Sequence, residues 1–202
     1  ALFDAPARPV GVDEIEIQHC KPGVLALQGD RLETVDLVIG GRLRLSRVSA
    51  SGREFAIAIA LAGDVVTTSP TSPYQVLVRK KSILARIPRV VFETLRAQNS
   101  DFSARIGATI QRRLSLVEQR LEFTHAPATV RVANALLEIS VYFRGSSKVP
   151  RMRQNVIGSF AVVTRETVCA VMSELARGKS ISITRHWIYL DLERLGSLAR
   201  TT

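Results

Sequence analysis

The chain has only two cysteines, Cys20 and Cys169, among its 202 residues. A single distant pair cannot form the disulfide framework of a small secreted domain, so a reducing compartment is the simpler interpretation. No combination of cysteine and histidine has the spacing of a zinc ligand set. We therefore expect no metal site and no disulfide.

Long apolar runs are also missing, since none approaches the roughly 20 residues that a membrane-spanning helix needs. The N-terminal residues lack the basic-then-apolar pattern of a signal peptide. No Ser/His/Asp, Cys/His or paired-carboxylate arrangement stands out as a catalytic set. The sequence predicts a cytoplasmic protein that does not enter membranes, has no catalytic residues and is not an enzyme.

Acidic side chains are scarce relative to basic ones. The chain has 28 Lys and Arg against 18 Asp and Glu, a formal charge of +10 and a pI near 10.6. Residues 148–202 carry nine basic and four acidic side chains, so the excess is densest near the C-terminus. A basic surface of this kind favours a polyanionic partner such as DNA.

The first hundred residues have the pattern of short strands. Apolar and β-branched residues dominate 23–27, 35–39, 43–48 and 55–61, and turn-forming residues lie between them at Lys21-Pro22-Gly23, Gln28-Gly29-Asp30, Gly40-Gly41 and Ser51-Gly52-Arg53. Short strands at this spacing are typical of a barrel or jelly roll. We predict a β-roll over residues 12–100, with residues 1–12 as an irregular lead-in.

A long helix is predicted over residues 101–124. Its apolar residues alternate spacings of four and three, the seam of a coiled coil, at Ile110, Leu114, Val117 and Leu121. A second interpretation is a lone amphipathic helix packed on the β-roll. A short helix opening at Pro88 precedes it, and another helix is predicted over 128–143 after Pro127.

The last predicted segment centres on a capped helix. Thr164 can accept hydrogen bonds from the first turn, and Val168, Val171, Met172 and Leu175 form one apolar stripe. A shorter helix over 156–161 precedes this helix, and residues 181–190 alternate like a β-hairpin. Helix, turn, helix and hairpin together predict a winged helix-turn-helix over residues 126–202.

These C-terminal motifs resemble the CRP/FNR family of bacterial transcription regulators. The resemblance is carried by residues 164–168 (Thr-Arg-Glu-Thr-Val), 173–178 (Ser-Glu-Leu-Ala-Arg-Gly), 181–183 (Ile-Ser-Ile) and 188–195 (Ile-Tyr-Leu-Asp-Leu-Glu-Arg-Leu). Two positions depart from the family pattern, because Val162 replaces a turn glycine and Ala170 replaces a second arginine.

The N-terminal half is similar to the cyclic-nucleotide-binding fold that forms the sensor of the same family. The similar motifs are Lys21-Pro22-Gly23, Gln28-Gly29-Asp30, residues 38–45, residues 51–54 and Leu61-Ala62-Gly63-Asp64. The resemblance implies an α+β protein with an N-terminal β-roll, a dimerisation helix and a C-terminal winged helix-turn-helix.

The resemblance also implies a homodimer that binds a palindromic site in double-stranded DNA. Its expected DNA-binding residues are Thr164, Arg165, Glu166, Thr167, Cys169, Ser173, Arg185 and His186. Its expected dimerisation residues are Ile110, Leu114, Val117 and Leu121. RNA polymerase and an unidentified small-molecule effector are left open as further partners. Two other functions are also left open: a small-molecule receptor with vestigial DNA binding, and a nonspecific architectural DNA-binding protein.

Control by cyclic AMP is not expected, and no cofactor is predicted. Family members that bind the nucleotide have a glutamate for the ribose and an arginine for the phosphate after the Gly-Asp pair. Here Gly63-Asp64 is followed by residues 65–74, which contain neither. A buried phosphate without a cation is costly. The next basic residues, Arg79, Lys80 and Lys81, are predicted at an exposed strand end or turn.

A few residues allow two interpretations. His19 and Cys20 could ligate haem iron or be solvated at a strand end. Cys169 could be a redox switch or a small residue that abuts DNA. The segment 144–151 could be a solvated loop or a phosphate contact.

Overall fold

The structure is a computed structural model in which residues 12–200 are described. The predicted lead-in, apart from Val12, lies outside them. The described chain divides into two compact units. The first contains residues 12–48 and Ala58–Arg113, and the second contains Ser49–Ile57 and residues 114–200. This division falls within a long helix, and the domain limits 12–100, 101–124 and 126–202 stay predictions.

The first unit is built on an antiparallel sheet. A 3-10 turn (Val12–Glu14) precedes strands β1 (Glu16–Cys20), β2 (Gly23–Ala26), β3 (Thr34–Val48), β4 (Glu54–Ala60) and β5 (Gln75–Pro88). The strand order is β1-β5-β3-β4, and β2 pairs with β5. Together with the helices that follow, this sheet confirms the α+β class.

The turn predicted at Gly40-Gly41 is wrong, because β3 runs through both residues. Its pairing with β5 shifts register between Val38 and Gly40 and again near Arg42. Gly41 has a φ of +94°, and a Cβ there would lie 2.5 Å from the Cα of Ser82. The glycines therefore permit a β-bulge and a close approach of β3 to β5, and they do not end the strand.

The strand end or turn predicted at Arg79, Lys80 and Lys81 is also wrong. These residues lie in the middle of β5, although their side chains are exposed as expected. On one edge of β5, pairing with β2 includes Val78 and pairing with β1 begins at Ser82. The basic residues occupy the interval between those two partners, where solvent can reach them.

One helix and the first part of a second complete the first unit. Helix α1 (Arg89–Gln98) has Pro88 at its N-cap, and helix α2 (Ser100–Glu122) begins after Asn99, whose Oδ1 accepts a bond from the Phe102 N–H at 2.9 Å. Phe92 and Phe102 pack edge to face at 5.6 Å. The helices and sheet enclose an apolar cluster of Val35, Val65, Ala85, Ile87, Val91, Phe92 and Ile106.

The second unit contains the last turns of α2 and the C-terminal elements. These are α3 (Ala128–Val141), β6 (Lys148–Pro150), α4 (Gln154–Ala161), α5 (Arg165–Arg177), β7 (Ile181–Ile183), β8 (Trp187–Leu190) and α6 (Leu192–Ala199). The three strands form an antiparallel sheet in the order β6-β8-β7. Its core includes the fully buried Leu136, Ile139, Ile157, Phe160, Ile188 and Leu195. The predicted helix-turn-helix with a β-hairpin wing is confirmed.

The segment 144–151 is not a loop throughout. Residues 148–150 form β6, and Val149 is buried opposite Ile188 of β8. The sequence interpretation missed this strand because three residues are too few to show the alternation that identifies a strand.

Candidate nucleic-acid interface

The start of α5 is fixed by its N-cap. Thr164 has extended backbone angles, and its Oγ1 accepts a hydrogen bond from the Thr167 N–H at 3.2 Å. The hydroxyls of Thr164 and Thr167 lie 3.0 Å apart. Other N–H groups of the first turn have no partner within the helix and carry the positive end of the helix dipole. This end of α5 can therefore bind an anion.

The two faces of α5 separate as the apolar spacing predicts. Val168, Val171, Met172 and Leu175 are buried. On the other face Arg165, Glu166 and Ser173 are exposed, while Thr167 and Cys169 are half-buried. The Ser173 hydroxyl donates to the Cys169 carbonyl at 3.0 Å. The outward face thus carries a cation and an anion side by side in its first turn.

A tight turn connects α4 to α5, and the two helices meet at 96°. Gly158 in α4 permits this approach, because a Cβ there would lie 2.8 Å from the Val163 carbonyl oxygen. Val162 ends α4 in the left-handed region, with φ 56° and ψ 40°. A β-branched residue is strained in that region. The absence of the family's turn glycine thus leaves strain in the turn.

The wing is the hairpin of β7 and β8. Its tip includes Arg185 and His186, which are both exposed. Thr184 closes the tip, because its Oγ1 accepts from the Trp187 N–H at 3.1 Å. Arg151, after β6, donates through its N–H to the His186 carbonyl at 2.8 Å. The extra strand therefore supports the tip and adds another basic residue beside it.

Lys148 of β6 lies over two aromatic rings of β8, a contact that the sequence interpretation did not predict. Lys148 Nζ lies 4.4 Å from the ring centroid of Trp187 and 5.5 Å from that of Tyr189. The two aromatic residues alternate with buried residues in β8, which was the available signal. The partner lysine could not be assigned, because the pairing of β6 with β8 was unknown.

An ion pair buried in the second unit joins α2 to α3. Arg120 Nε and Nη2 donate to the two carboxylate oxygens of Glu138, each at 2.6 Å. Arg120 also donates to the carbonyls of Ala56 and Ile57, and its guanidinium lies 5.0 Å from the ring centroid of Phe160. Burial raises the pKa of Glu138, while its hydrogen bonds to Arg120 and Tyr142 act to lower it. Arg120 thus connects three parts of the unit.

In the first unit, arginines bind the backbone of the segment after Gly63-Asp64. Arg113 donates to the carbonyls of Val65 and Val66, and Arg89 donates to those of Thr68 and Ser69. Arg112 pairs with Asp64 at 2.6 Å. The sequence interpretation did not anticipate these contacts, because Arg112 and Arg113 lie almost fifty positions after their partners.

The two cysteines lie in different surroundings. Cys20 is in β1, where burial raises the pKa of its thiol. The charge of Arg86 acts to lower this pKa, and the charge of Asp36 acts to raise it. His19 beside it is exposed.

Among residues 12–200, no group of three or more His, Cys, Asp or Glu side chains could bind a metal ion. Over the same residues, no single helix is long and apolar enough to cross a membrane, and only the bent pair of α4 and α5 has that length and composition together.

Residues 130–198 match the family model described as the Crp-like helix-turn-helix domain. FixK2 from Bradyrhizobium japonicum is 20% identical with a TM-score of 0.79, over 93% of this chain and 98% of that chain. CooA from Carboxydothermus hydrogenoformans is 18% identical with a TM-score of 0.76, over 93% and 88%. The c-di-GMP-responsive regulator CLP from Xanthomonas campestris is 17% identical with a TM-score of 0.74, over 88% and 94%. No curated protein sequence gives a significant match. The resemblance inferred from the sequence is confirmed by the domain match and by this shared fold.

Proposed function

We propose that this chain, which carries a Crp-like helix-turn-helix domain on the fold of CRP/FNR regulators, is a homodimeric, sequence-specific DNA-binding transcription regulator. The observation that carries the proposal is the capped start of α5 with Arg165 and Glu166 exposed in its first turn. In helix-turn-helix proteins, this part of the second helix contacts base edges in the major groove.

The residue types at the helix start suit base reading. Arg165 can donate two hydrogen bonds to guanine O6 and N7, and Glu166 can accept one from a cytosine amino group. Thr164 and Thr167 have hydroxyls near the first-turn N–H groups, which favours contact with a phosphate. Cys169 and Ser173 lie farther along the same face, after the first turn that would contact base edges.

The wing tip suits contact with the DNA backbone. Arg185 and His186 are exposed at the end of a short hairpin, and Arg151 lies beside them. Phosphate contacts of this kind position a protein without reading sequence. Arg185 therefore provides a matched control for Arg165, because both substitutions remove one exposed positive charge from the same domain.

Arg165→Ala should weaken binding to the cognate site by about 1–3 kcal/mol and relax preference at one base pair in each half-site. Arg185→Ala should weaken binding to every duplex alike. Selection from a randomised duplex pool, followed by titration of the selected and scrambled duplexes, measures both effects.

The outcomes of that selection separate the proposed function from its rivals. Arg165 is not a base reader if Arg165→Ala keeps the wild-type preference at every position. A wild-type protein that binds palindromic and scrambled duplexes equally over a salt series would be an architectural DNA-binding protein. If the wild-type protein binds no duplex even at low salt, the result would favour a small-molecule receptor.

The homodimer is supported by the exposed stripe of α2. Ile110, Leu114 and Leu121 are 46%, 55% and 67% exposed in the single chain. Val117, between them, is half-buried. Apolar side chains at alternating spacings of four and three form the seam of a coiled coil when a second helix covers them. A parallel pair of α2 helices would supply the two-fold axis that a palindromic DNA site requires.

Independence from cyclic AMP forms another part of the proposal. Arg89 and Arg113 are committed to backbone carbonyls of the segment after Gly63-Asp64, and this segment itself has no arginine. A phosphate that used either of these two arginines would have to displace those bonds. Millimolar cyclic AMP should therefore leave the melting temperature and the DNA affinity unchanged. A ligand at a hundred times its Kd would stabilise the protein by about 2.7 kcal/mol, so thermal unfolding with and without the nucleotide detects such binding.

A further inference from the structure

The hairpin of residues Ser49–Ile57, here called the 49–57 hairpin, belongs to the same compact unit as the helix-turn-helix. It connects β3 to β4, whose other residues belong to the first unit. Its tip is ordered by two bonds to Arg53, because the Arg53 carbonyl accepts from the Ser49 N–H and the Arg53 N–H donates to the Ser49 hydroxyl. These bonds fix the backbone from which the Arg53 side chain extends.

Arg53 reaches the turn of the helix-turn-helix. Its Nη2 donates to the carbonyl oxygen of Val162 at 2.9 Å. Arg131 of α3 donates to the same oxygen through Nη1 at 3.3 Å. Arg120 binds the other end of the hairpin, at the carbonyls of Ala56 and Ile57. The hairpin is thus attached to the helices at two separate points.

Val162 lies in the turn between α4 and α5, where it ends α4 with a positive φ. It is the β-branched member of the three non-glycine residues with positive φ among residues 12–200. Such a conformation persists only where the surroundings hold it. A cavity of about 60 Å³, lined by Val162, Arg131 and Glu138 among others, adjoins the turn and leaves it incompletely packed. The hydrogen bonds that its carbonyl accepts from Arg53 and Arg131 therefore add to the backbone bonds from the Val162 and Val163 N–H groups to the Gly158 carbonyl in holding this geometry.

We infer that Arg53 is a positioning residue for DNA recognition, which acts by holding the strained Val162 turn and hence the angle of α5. This inference rests on the proposed function, since it concerns how the reading helix is presented. This role requires no contact of Arg53 with bases or phosphates.

The test compares Arg53→Ala with Arg47→Ala, which removes the same charge from an exposed position of β3. Arg53→Ala should lower affinity for the selected duplex roughly threefold to tenfold, the effect of one net hydrogen bond. It should also speed amide hydrogen exchange over residues 162–168 in the protein without DNA. Arg47→Ala should change neither the affinity nor the exchange. Arg53→Lys should change both less than Arg53→Ala does, because a hydrogen-bond donor remains.

A second background isolates the strain at Val162. Glycine adopts positive φ at no steric cost, so Val162→Gly should make the turn independent of Arg53. Arg53→Ala should then change neither exchange nor affinity by more than twofold in the Gly background. An equal loss of affinity in both backgrounds would overturn the inference and indicate direct contact of Arg53 with DNA.

Hydrogen exchange also separates this inference from the proposed function. If the wild-type protein binds no duplex selectively, the proposed function fails, and exchange over residues 162–168 alone decides the role of Arg53. Unchanged exchange in Arg53→Ala overturns the inference whatever the DNA result. A melting temperature within a few degrees of wild type shows that the variants remain folded.

Discussion

Arg120→Met should lower the free energy of unfolding by about 3–5 kcal/mol, the cost of removing one partner of a buried ion pair. The side chain of Glu138 is 8% exposed, and burial already raises its pKa. Without Arg120, its carboxylate must either remain charged without a cation or take up a proton. The carbonyls of Ala56 and Ile57 lose their donor at the same time. Denaturant unfolding followed by circular dichroism measures the change.

A double-mutant cycle separates the ion pair from these other contacts. Glu138→Leu alone leaves the Arg120 guanidinium partly buried with two carbonyl partners, so its cost should also be large. The double variant Arg120→Met/Glu138→Leu should be less destabilised than the sum of the two single variants, because apolar replacement of both partners is often close to neutral. Additive losses would show that the pair is not coupled.

An exposed ion pair of the same chain provides the control. Arg96 and Glu93 lie 3.2 Å apart on α1, with both side chains at least 40% exposed. Arg96→Met should therefore cost no more than about 1 kcal/mol. If Arg120→Met costs no more than this control, the Arg120 network is not a main source of stability.

Most of the C-terminal elements could be predicted from the sequence because their signals are local. Thr164 stands where a helix needs an N-cap, and Val168, Val171 and Leu175 recur at helical spacing. The exposed face of α5 follows from that stripe without any knowledge of the other elements. The same logic identified the apolar stripe of α2, whose role in dimerisation stays a prediction.

Features that depend on a distant partner could not be predicted. The continuation of β3 through Gly41 depends on Ser82 of β5, and β6 forms only because β8 lies beside it. The partners of Arg53 and Arg120 are likewise remote in sequence. In each case, the local residues have no pattern that identifies the group they contact.

The stripe of α2 does not depend on a distant residue of its own chain. Its spacing can be read from the local sequence, and its side chains stay largely exposed in the single chain. Leu114 is 55% exposed, which is unusual for a leucine flanked by other exposed apolar residues on one helix face. A second copy of α2 would bury this stripe and bring the two helix-turn-helix domains to one DNA site. Binding of the second domain is then intramolecular, and its effective concentration can raise affinity about a hundredfold to ten-thousandfold.

Leu114→Glu/Val117→Glu should therefore abolish the dimer, because like charges from both chains would meet at the seam. Affinity for a palindromic duplex should fall by a similar hundredfold or more, while affinity for a single half-site should change little. Ala108→Glu/Ser115→Glu is the matched control, since it adds the same charge at two exposed positions off the stripe. Sedimentation velocity and duplex titration measure the two effects. If the first variant still sediments as a dimer, chains associate through another surface, and the affinity expected from two linked domains must be assigned to that surface instead.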